Sequence, residues 1–143
     1  MSKAFFLAFP LESIMFVQGA LAAQPGISFG EPVSSRLAIS FTDSSITFRP
    51  DADTAAVLVD AKDAAAVYIS GRTSTNRPSA LDEALALQRA LSARSYLIAR
   101  GVSLLKIMVN FASAADYTTE NITPQGRYQN QRVDIEIVYV PTF

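Results

Sequence analysis

The side chains whose types and spacing could bind a ligand lie in one stretch of the chain, from Val67 to Val102. This stretch reads as a short apolar strand, a polar loop and a long helix. Asp82 and Arg89 stand about two turns apart on one face of that helix. A guanidinium can hold a carboxylate through two parallel hydrogen bonds. An exposed Asp–Arg pair on a helix surface, by contrast, contributes little. Arg89 is therefore either part of a ligand-binding site or one member of a helix-surface pair, and both interpretations are open at this point.

The amino-acid composition excludes several kinds of chemistry. The 143 residues contain no cysteine, which excludes disulfides, thiolate chemistry and lipid attachment through cysteine. They contain no histidine either, which removes the commonest zinc ligand and the commonest general base. We therefore expect no cofactor and no metal ion. The net charge is −1 without a basic stripe, so we expect no nucleic acid partner.

The acidic residues late in the chain do not suggest an active site. Asp116 and Glu120 are interpreted as solvated loop charges rather than metal ligands, since nothing else nearby converges with them. Asp134 and Glu136 point to one face of a predicted strand, with no base or nucleophile beside them. We therefore predict that the protein is not an enzyme.

The length of the chain allows one domain with a real core, and not two. Residues 1–23 are predicted to be a secretory signal peptide. Residues 24–36, rich in Gly, Pro and Ser, are predicted to be a linker. Residues 37–143 then form the folded domain.

The signal peptide is predicted from Lys3, an apolar middle and small residues at Ala20–Ala23. Pro10 and Glu12 interrupt the apolar run. The alternative is therefore that Phe5–Phe9 forms a strand or a buried segment of the domain.

Strand and helix patterns alternate along the rest of the chain. The strands are expected at Leu37–Phe41, Val67–Gly71, Leu104–Val109 and Val133–Val140, and Ile46–Phe48 is expected to be a second short extended piece. Helices are expected at residues 51–62 and 79–100, with a helical turn at 124–127. This order predicts an α/β fold, a βαβαββ mixed sheet with helices packed on one face.

The long helix is expected to use its two apolar sides differently. The side made of small residues and one leucine should lie on the sheet: Ala86, Ala90, Ala93 and Leu97. The larger residues suggest a second covered surface, such as a partner helix or a dimer contact: Leu87, Leu91 and Ile98.

Four motifs in order resemble the OmpA C-terminal-like domain, a family that includes peptidoglycan-associated lipoproteins and the flagellar stator domain. Residues 41–52 resemble its opening F-x-x-x-S-x-x-L-x-P-x-A pattern, and Ser70–Thr73 its G-H-T-D loop. Residues 85–90 resemble its L-S-x-x-R-A helix, followed by a glycine at Gly101. Residues 121–135 resemble its N-x-T-x-x-G-R-x-x-N-R-R-V-E-I ending. The resemblance covers about residues 37–140 and implies the OmpA-like fold.

The resemblance also implies a binding site with a degenerate motif. Family members hold the diaminopimelate residue of the peptidoglycan stem peptide with an Asp and an Arg. Arg89 matches the Arg, whereas Ser74 stands at the Asp, Arg72 at the histidine of the loop, and Gln131 at the first arginine of the final motif. Asp82, at the helix asparagine, is a candidate replacement for the lost carboxylate. The implied ligand-binding residues are Arg89, Ser74, Asp82, Thr73, Asn130 and Arg132.

The implied function is that of a noncatalytic domain of the periplasm or bacterial cell envelope. It would associate weakly with peptidoglycan, since Ser74 offers no charge to an ammonium. The alternative is a structural or docking subunit of an envelope assembly, such as a secretion or conjugation system. The expected partners are thus peptidoglycan or envelope-complex proteins, and a homo-oligomer is left open.

Overall fold

The computed structural model describes residues 31–141. In this range the chain forms one sheet and three α-helices, in the order β1 (Val33–Ser40), α1 (Ala52–Leu58), β2 (Ala66–Arg72), α2 (Ala80–Ala99), β3 (Ile107–Ala112), α3 (Pro124–Asn130) and β4 (Arg132–Tyr139). Two 3-10 helices, Val59–Asp63 and Leu104–Lys106, follow α1 and precede β3. The predicted signal peptide and most of the predicted linker lie outside the described residues. No helix between residues 31 and 141 is long and apolar enough to cross a membrane.

The sheet has the strand order β1-β4-β2-β3. The last strand, β4, lies between β1 and β2 and is antiparallel to both, whereas β2 and β3 are parallel and joined through α2. The sheet is therefore mixed, as predicted. Its first strand begins at Val33, so the last residues of the predicted linker pair with β4 through Val33 and Tyr139.

The core lies between α2 and one face of the sheet. From the helix it receives the four residues predicted for this contact, each 0% exposed: Ala86, Ala90, Ala93 and Leu97. From the sheet it receives the apolar side of β2 and β4, including Ile69, Ile135 and Ile137. Small side chains on α2 let the helix backbone come close to the sheet. The predicted fold, a mixed sheet with helices packed on it, is confirmed.

Local signals place the ends of α2. Ser79 is the N-cap, and its hydroxyl accepts a hydrogen bond from the Asp82 amide at 3.1 Å. Gly101 follows the helix with φ +97°, a left-handed conformation that glycine adopts without steric cost. Both ends agree with the helix that the sequence predicts at residues 79–100.

One predicted strand differs from the structure, and one predicted extended piece does not join the sheet. Ile46–Phe48 is not a strand: the Phe48 amide bonds to the hydroxyl of Ser92, and the Phe48 ring packs edge-on against Tyr96 of α2. Residues 104–106 form a 3-10 helix, so the third strand begins only at Ile107. In both cases tertiary packing or a local cap outweighs the apolar run that suggested a strand.

The opposite face of the sheet is polar. Side chains alternate between the two faces of a strand, so the residues between the core positions of β1, β2 and β4 share this second face. We call this surface the polar face and define it by Arg36, Ala38, Tyr68, Ser70, Arg132, Asp134 and Glu136.

Candidate functional site

Arg89 lies in the middle of α2 and is 1% exposed. Its guanidinium donates to three backbone carbonyl oxygens: Nε to Ser45 at 2.9 Å, Nη1 to Arg72 at 3.1 Å and Nη2 to Thr42 at 3.4 Å. It also stands 5.3 Å from the centre of the Phe41 ring. Arg89 thus ties the loop after β1 to the end of β2. The interpretation of Arg89 as a solvated helix-surface residue is wrong.

The buried guanidinium has no ion pair with any residue between 31 and 141. Removal from water lowers the pKa of Arg89 to about 10, and the negative charge of Asp43 acts in the opposite direction. Arginine has five N–H donors. The three hydrogen bonds that Arg89 donates in this structure all go to neutral carbonyls. A buried cation without a bonded anion is costly unless an anion joins it.

Ser74 and Gln131 form a neutral network beside this site. The Ser74 hydroxyl donates to the side-chain oxygen of Gln131 at 3.0 Å. The Gln131 amide donates to the carbonyl of Phe41 at 2.8 Å and to the carboxylate of Asp43 at 2.9 Å. Asp43 is exposed on the loop after β1. It is the carboxylate that the structure links to Ser74, and the sequence reasoning missed it although it lies within the opening motif.

Thr73 and Asp82 occupy different parts of this end of the molecule. Thr73 is 1% exposed, and its hydroxyl is 2.8 Å from that of Thr75. Asp82 lies in the first turn of α2, where its carboxylate accepts a 2.7 Å hydrogen bond from the Ser79 hydroxyl. It forms no ion pair with Arg89. The carboxylate of Asp82 is therefore held at the N-terminus of α2 by its hydrogen bond with Ser79.

Asn130 supports the loop that precedes α3. Its side-chain oxygen accepts from the Thr118 amide at 2.8 Å, and its side-chain nitrogen donates to the Thr119 carbonyl at 3.1 Å. The same nitrogen donates to Asn121 at 3.1 Å, and Asn121 in turn donates to the carbonyl of Ser74. Asn130 is 0% exposed, and its side chain is linked to the Ser74 loop through Asn121.

Arg132 belongs to the polar face rather than to the Arg89 site. Its Nε is 2.9 Å from Asp134 Oδ1, and its Nη2 donates to the Asp116 carbonyl at 2.8 Å. Arg89 bonds to the carbonyl of Arg72, which places it near Thr73 and Ser74. Arg132 lies on the polar face instead.

Arg72, which stands where the family pattern has histidine, forms a buried ion pair with Asp116. Arg72 Nη2 lies 2.9 Å from Asp116 Oδ2, and the two side chains are 1% and 14% exposed. Burial lowers the pKa of Arg72, and the Asp116 carboxylate opposes that shift. The prediction that Asp116 is a solvated loop charge is therefore wrong. Within residues 31–141 no three potential ligands converge as a metal site.

Solved structures share this fold. The OmpA-like domain of FopA1 from Francisella tularensis aligns with a TM-score of 0.61 at 17% identity, over 80% of this chain and 79% of that one. The cell wall anchor of the type VI secretion system from Pseudomonas aeruginosa gives 0.58 at 20%, over 89% and 96%. The peptidoglycan-associated lipoprotein from Burkholderia pseudomallei gives 0.58 at 19%, over 71% and 88%. At these identities the likeness establishes the fold.

Sequence relatives come from Brucella. A protein of Brucella suis biovar 1 (strain 1330), described as an outer membrane lipoprotein of a type IV secretion system, is 38% identical over 72 residues. A protein of Brucella abortus biovar 1 (strain 9-941) with the same description is 36% identical over 72 residues. Each match covers 50% of this chain and 42% of the relative. The chain therefore matches less than half of the length of these relatives.

The exclusion of lipid attachment through cysteine is wrong. It rested on the absence of cysteine from these 143 residues, whereas the Brucella relatives are described as lipoproteins. A lipid is attached at a single residue that need not lie in the folded domain. The composition of the domain consequently carries no information about an anchor.

A family model identifies the domain. The model of the OmpA family matches residues 41–131, more than half of the chain, including Arg89, Ser74 and Gln131. The match agrees with the resemblance found in the four motifs. Together with the Brucella relatives it confirms the predicted localisation, the periplasm or the cell envelope of a bacterium. The chain belongs to the OmpA family.

Proposed function

We propose that this OmpA-like domain associates with peptidoglycan through the diaminopimelate residue of the stem peptide, without catalysing a reaction. Two proteins that share the fold are described as a peptidoglycan-associated lipoprotein and as a cell wall anchor. OmpA-like domains are noncatalytic binding modules, and we extend that property to this chain.

The buried guanidinium of Arg89 carries the proposal. It is hydrogen-bonded to three neutral carbonyls and has no ion-pair partner among the described residues. A ligand carboxylate would supply the missing anion through a charge-assisted hydrogen bond. The ammonium of the same amino acid would face Ser74. Asp43, which is linked to Ser74 through Gln131, and Asp82 are the candidates to supply a negative charge.

We infer that this binding is weak, because Ser74 replaces a carboxylate. A neutral hydrogen bond contributes roughly 0.5–1.5 kcal/mol net, against about 1.5–3 kcal/mol for one to a charged group. The difference corresponds to about tenfold in affinity. The Ser74 hydroxyl donates its proton to Gln131, so its oxygen could accept from an ammonium, but only as a neutral acceptor.

Cosedimentation with purified peptidoglycan that contains diaminopimelate tests the proposal. Ser74→Asp should increase the pelleted fraction, with an affinity about tenfold higher. Arg89→Lys keeps the charge but loses the planar fork, so it should reduce binding. Arg100→Lys is the matched control: Arg100 lies at the end of α2, is exposed and donates to the Tyr96 carbonyl.

Thermal unfolding of each variant separates lost binding from lost folding. If Ser74→Asp folds normally and pellets no better than the wild type, the proposed carboxylate–ammonium contact is refuted. If Arg89→Lys folds normally and pellets like Arg100→Lys, Arg89 does not contact the ligand.

The alternative function, a docking subunit of an envelope assembly, has its own supporting observations. Arg89 is 1% exposed, and its three hydrogen bonds fasten two loops to α2, which suits a structural role. The Brucella relatives are described as components of a type IV secretion system. Co-purification of the tagged protein with secretion-system subunits, unaffected by Ser74→Asp and without cosedimentation with peptidoglycan, would favour this alternative.

A further inference from the structure

The polar face of the sheet holds a groove of about 630 Å³. The loop residues Asp116, Tyr117 and Thr118 form one wall, and β1, β2 and β4 form the floor. The groove lies on the face opposite α2, whereas Arg89 and its partners lie on the α2 side of the sheet. It is therefore separate from the site described above.

Glu136 is a buried acid in the floor of this groove. The residue is 8% exposed, and its Oε2 atom has no hydrogen-bond partner within residues 31–141. Its ion pair is with Arg36, with 3.6 Å between Arg36 Nη2 and Glu136 Oε2. A buried carboxylate oxygen without a donor is costly. A ligand that brings an N–H donor would remove this cost.

Arg36 is a weak partner that a ligand can displace. Its side chain is 52% exposed on β1, at the edge of the sheet. The two other ion pairs near the groove, Arg72–Asp116 and Arg132–Asp134, are both 2.9 Å long. The Arg36–Glu136 pair is longer by 0.7 Å and has no hydrogen bond. Since an exposed partner gains little from such a pair, replacing Arg36 costs little.

The chemistry of the lining favours a cation. Two tyrosines line the groove, and Tyr68 is the register partner of Glu136 across β2 and β4. Of the three acids that line the groove, Glu136 alone is paired with an exposed arginine, because the arginine partners of Asp116 and Asp134 are buried. Aromatic faces beside a carboxylate attract guanidinium and ammonium groups.

We propose that this groove is a docking site for a basic side chain, Arg or Lys, of a partner polypeptide. The side chain enters between Tyr68 and the Tyr117 loop, displaces Arg36 and donates to the carboxylate of Glu136. This surface goes beyond the peptidoglycan function and does not depend on it.

Nuclear magnetic resonance titration of the full chain with short peptides tests the proposal. The probes are four blocked pentapeptides that differ only at the central position, which is Arg, Lys, Glu or Ala among alanines. The Arg and Lys peptides should shift the amide signals of Tyr68, Glu136 and Tyr117. The Glu and Ala peptides should not, because neither brings a cation to the groove.

Two variants and a matched control identify the contact. Glu136→Gln should weaken binding of the Arg peptide about tenfold, as expected when a hydrogen bond to a charged acceptor is lost. Arg36→Ala should strengthen it about two- to fivefold, since a competing exposed ion pair is removed. Glu83→Gln removes one carboxylate from the exposed surface of α2 and should leave binding unchanged.

Several results would overturn the proposal. They are the absence of shifts with the Arg and Lys peptides, equal affinities for Glu136→Gln and Glu83→Gln, and weaker binding by a folded Arg36→Ala. Self-association in sedimentation velocity that Glu136→Gln abolishes would assign the groove to a second copy of the chain instead. Arg89→Lys should leave peptide binding intact. Failure of the peptidoglycan proposal can therefore be distinguished from failure of the groove proposal.

Discussion

Ser74 and Gln131 hydrogen-bond to each other, the hydroxyl donating to the amide oxygen at 3.0 Å. Both stand where the family pattern has a charged residue, an Asp at the first position and an Arg at the second. A neutral pair thus occupies both positions, and neither partner is left as an uncompensated charge. The two departures from the motif are therefore in direct contact in the fold.

Gln131→Ala should destabilise the fold. The side chain is held by Ser74, Asp43 and the carbonyl of Phe41, and its loss leaves the buried carbonyl without this donor. We expect a decrease of about 1–3 kcal/mol in the free energy of unfolding, measured in urea. Gln129→Ala, an exposed position of the same residue type, should change it by less than about 0.5 kcal/mol. Equal effects of the two substitutions would contradict the structural role of the network.

Gly71→Ala should be destabilising because α2 crosses β2 closely at this residue. A Cβ atom at Gly71 would lie 2.0 Å from the backbone oxygen of Ala86 and 3.2 Å from Ala90 Cβ. The helix would have to move off the sheet, at a cost of about 1–3 kcal/mol or more. Urea unfolding of Gly71→Ala, with the exposed Ser95→Ala as control, measures this. A variant as stable as the wild type would mean that α2 does not approach the sheet as described.

Tyr68→Phe should alter the alkaline end of the stability profile. Burial, and next the Glu136 carboxylate, raise the pKa of Tyr68 above its ordinary value of 10.0. The folded state holds this phenolic proton more tightly than the unfolded chain. The resulting stabilisation is complete below about pH 10 and is lost as the pH rises through the folded pKa. We expect the free energy of unfolding to fall more steeply in the wild type than in Tyr68→Phe above about pH 10.

The comparison with Tyr68→Phe isolates this residue from groups common to both proteins. The pKa of Arg89 is lowered to about 10, so Arg89 contributes with the opposite sign, and stability from it rises with pH. The contribution of Arg89 to stability is the same in the wild type and in Tyr68→Phe. Tyr128→Phe, at an exposed position on α3, is the control. Parallel profiles for the wild type and Tyr68→Phe would contradict the burial of the phenol.

The sequence predicted the fold well because the pattern that determines it is local. The small residues of α2 recur with helical spacing, and the alternation in β4 separates core positions from polar ones. Ile135 and Glu136, for example, fall on opposite faces of β4 as predicted. The apolar run at 104–109 was less informative, because the Ser103 cap starts a 3-10 helix there.

The site was predicted less well, since it depends on contacts between distant segments. Burial of Arg89 requires the carbonyls of Thr42 and Ser45, more than forty residues earlier in the chain. The ion pair of Asp116 with Arg72 is likewise formed across the fold. Helical spacing alone could place Arg89 and Asp82 on one face, but it could not show which of them a loop would cover.

Asp43 and Asp82 are alternative candidates for the carboxylate that receives the ligand ammonium. Asp43 is bonded to Gln131, which in turn bonds Ser74, and its charge acts on Arg89. The carboxylate of Asp82 is held at the N-cap of α2 by Ser79. We therefore expect Asp43→Asn to weaken cosedimentation with diaminopimelate-type peptidoglycan more than Asp82→Asn, by about tenfold in affinity.

Both substitutions remove one negative charge and keep the shape of the side chain, so each is the control for the other. Asp82→Asn retains an N-terminal capping group nearby in Ser79, and both variants should unfold at similar temperatures. A larger loss with Asp82→Asn would mean that the helix end, not the loop after β1, replaces the missing acid. Equal affinities for both variants and the wild type would mean that no carboxylate takes the ammonium, because removing the correct one must cost a charged hydrogen bond.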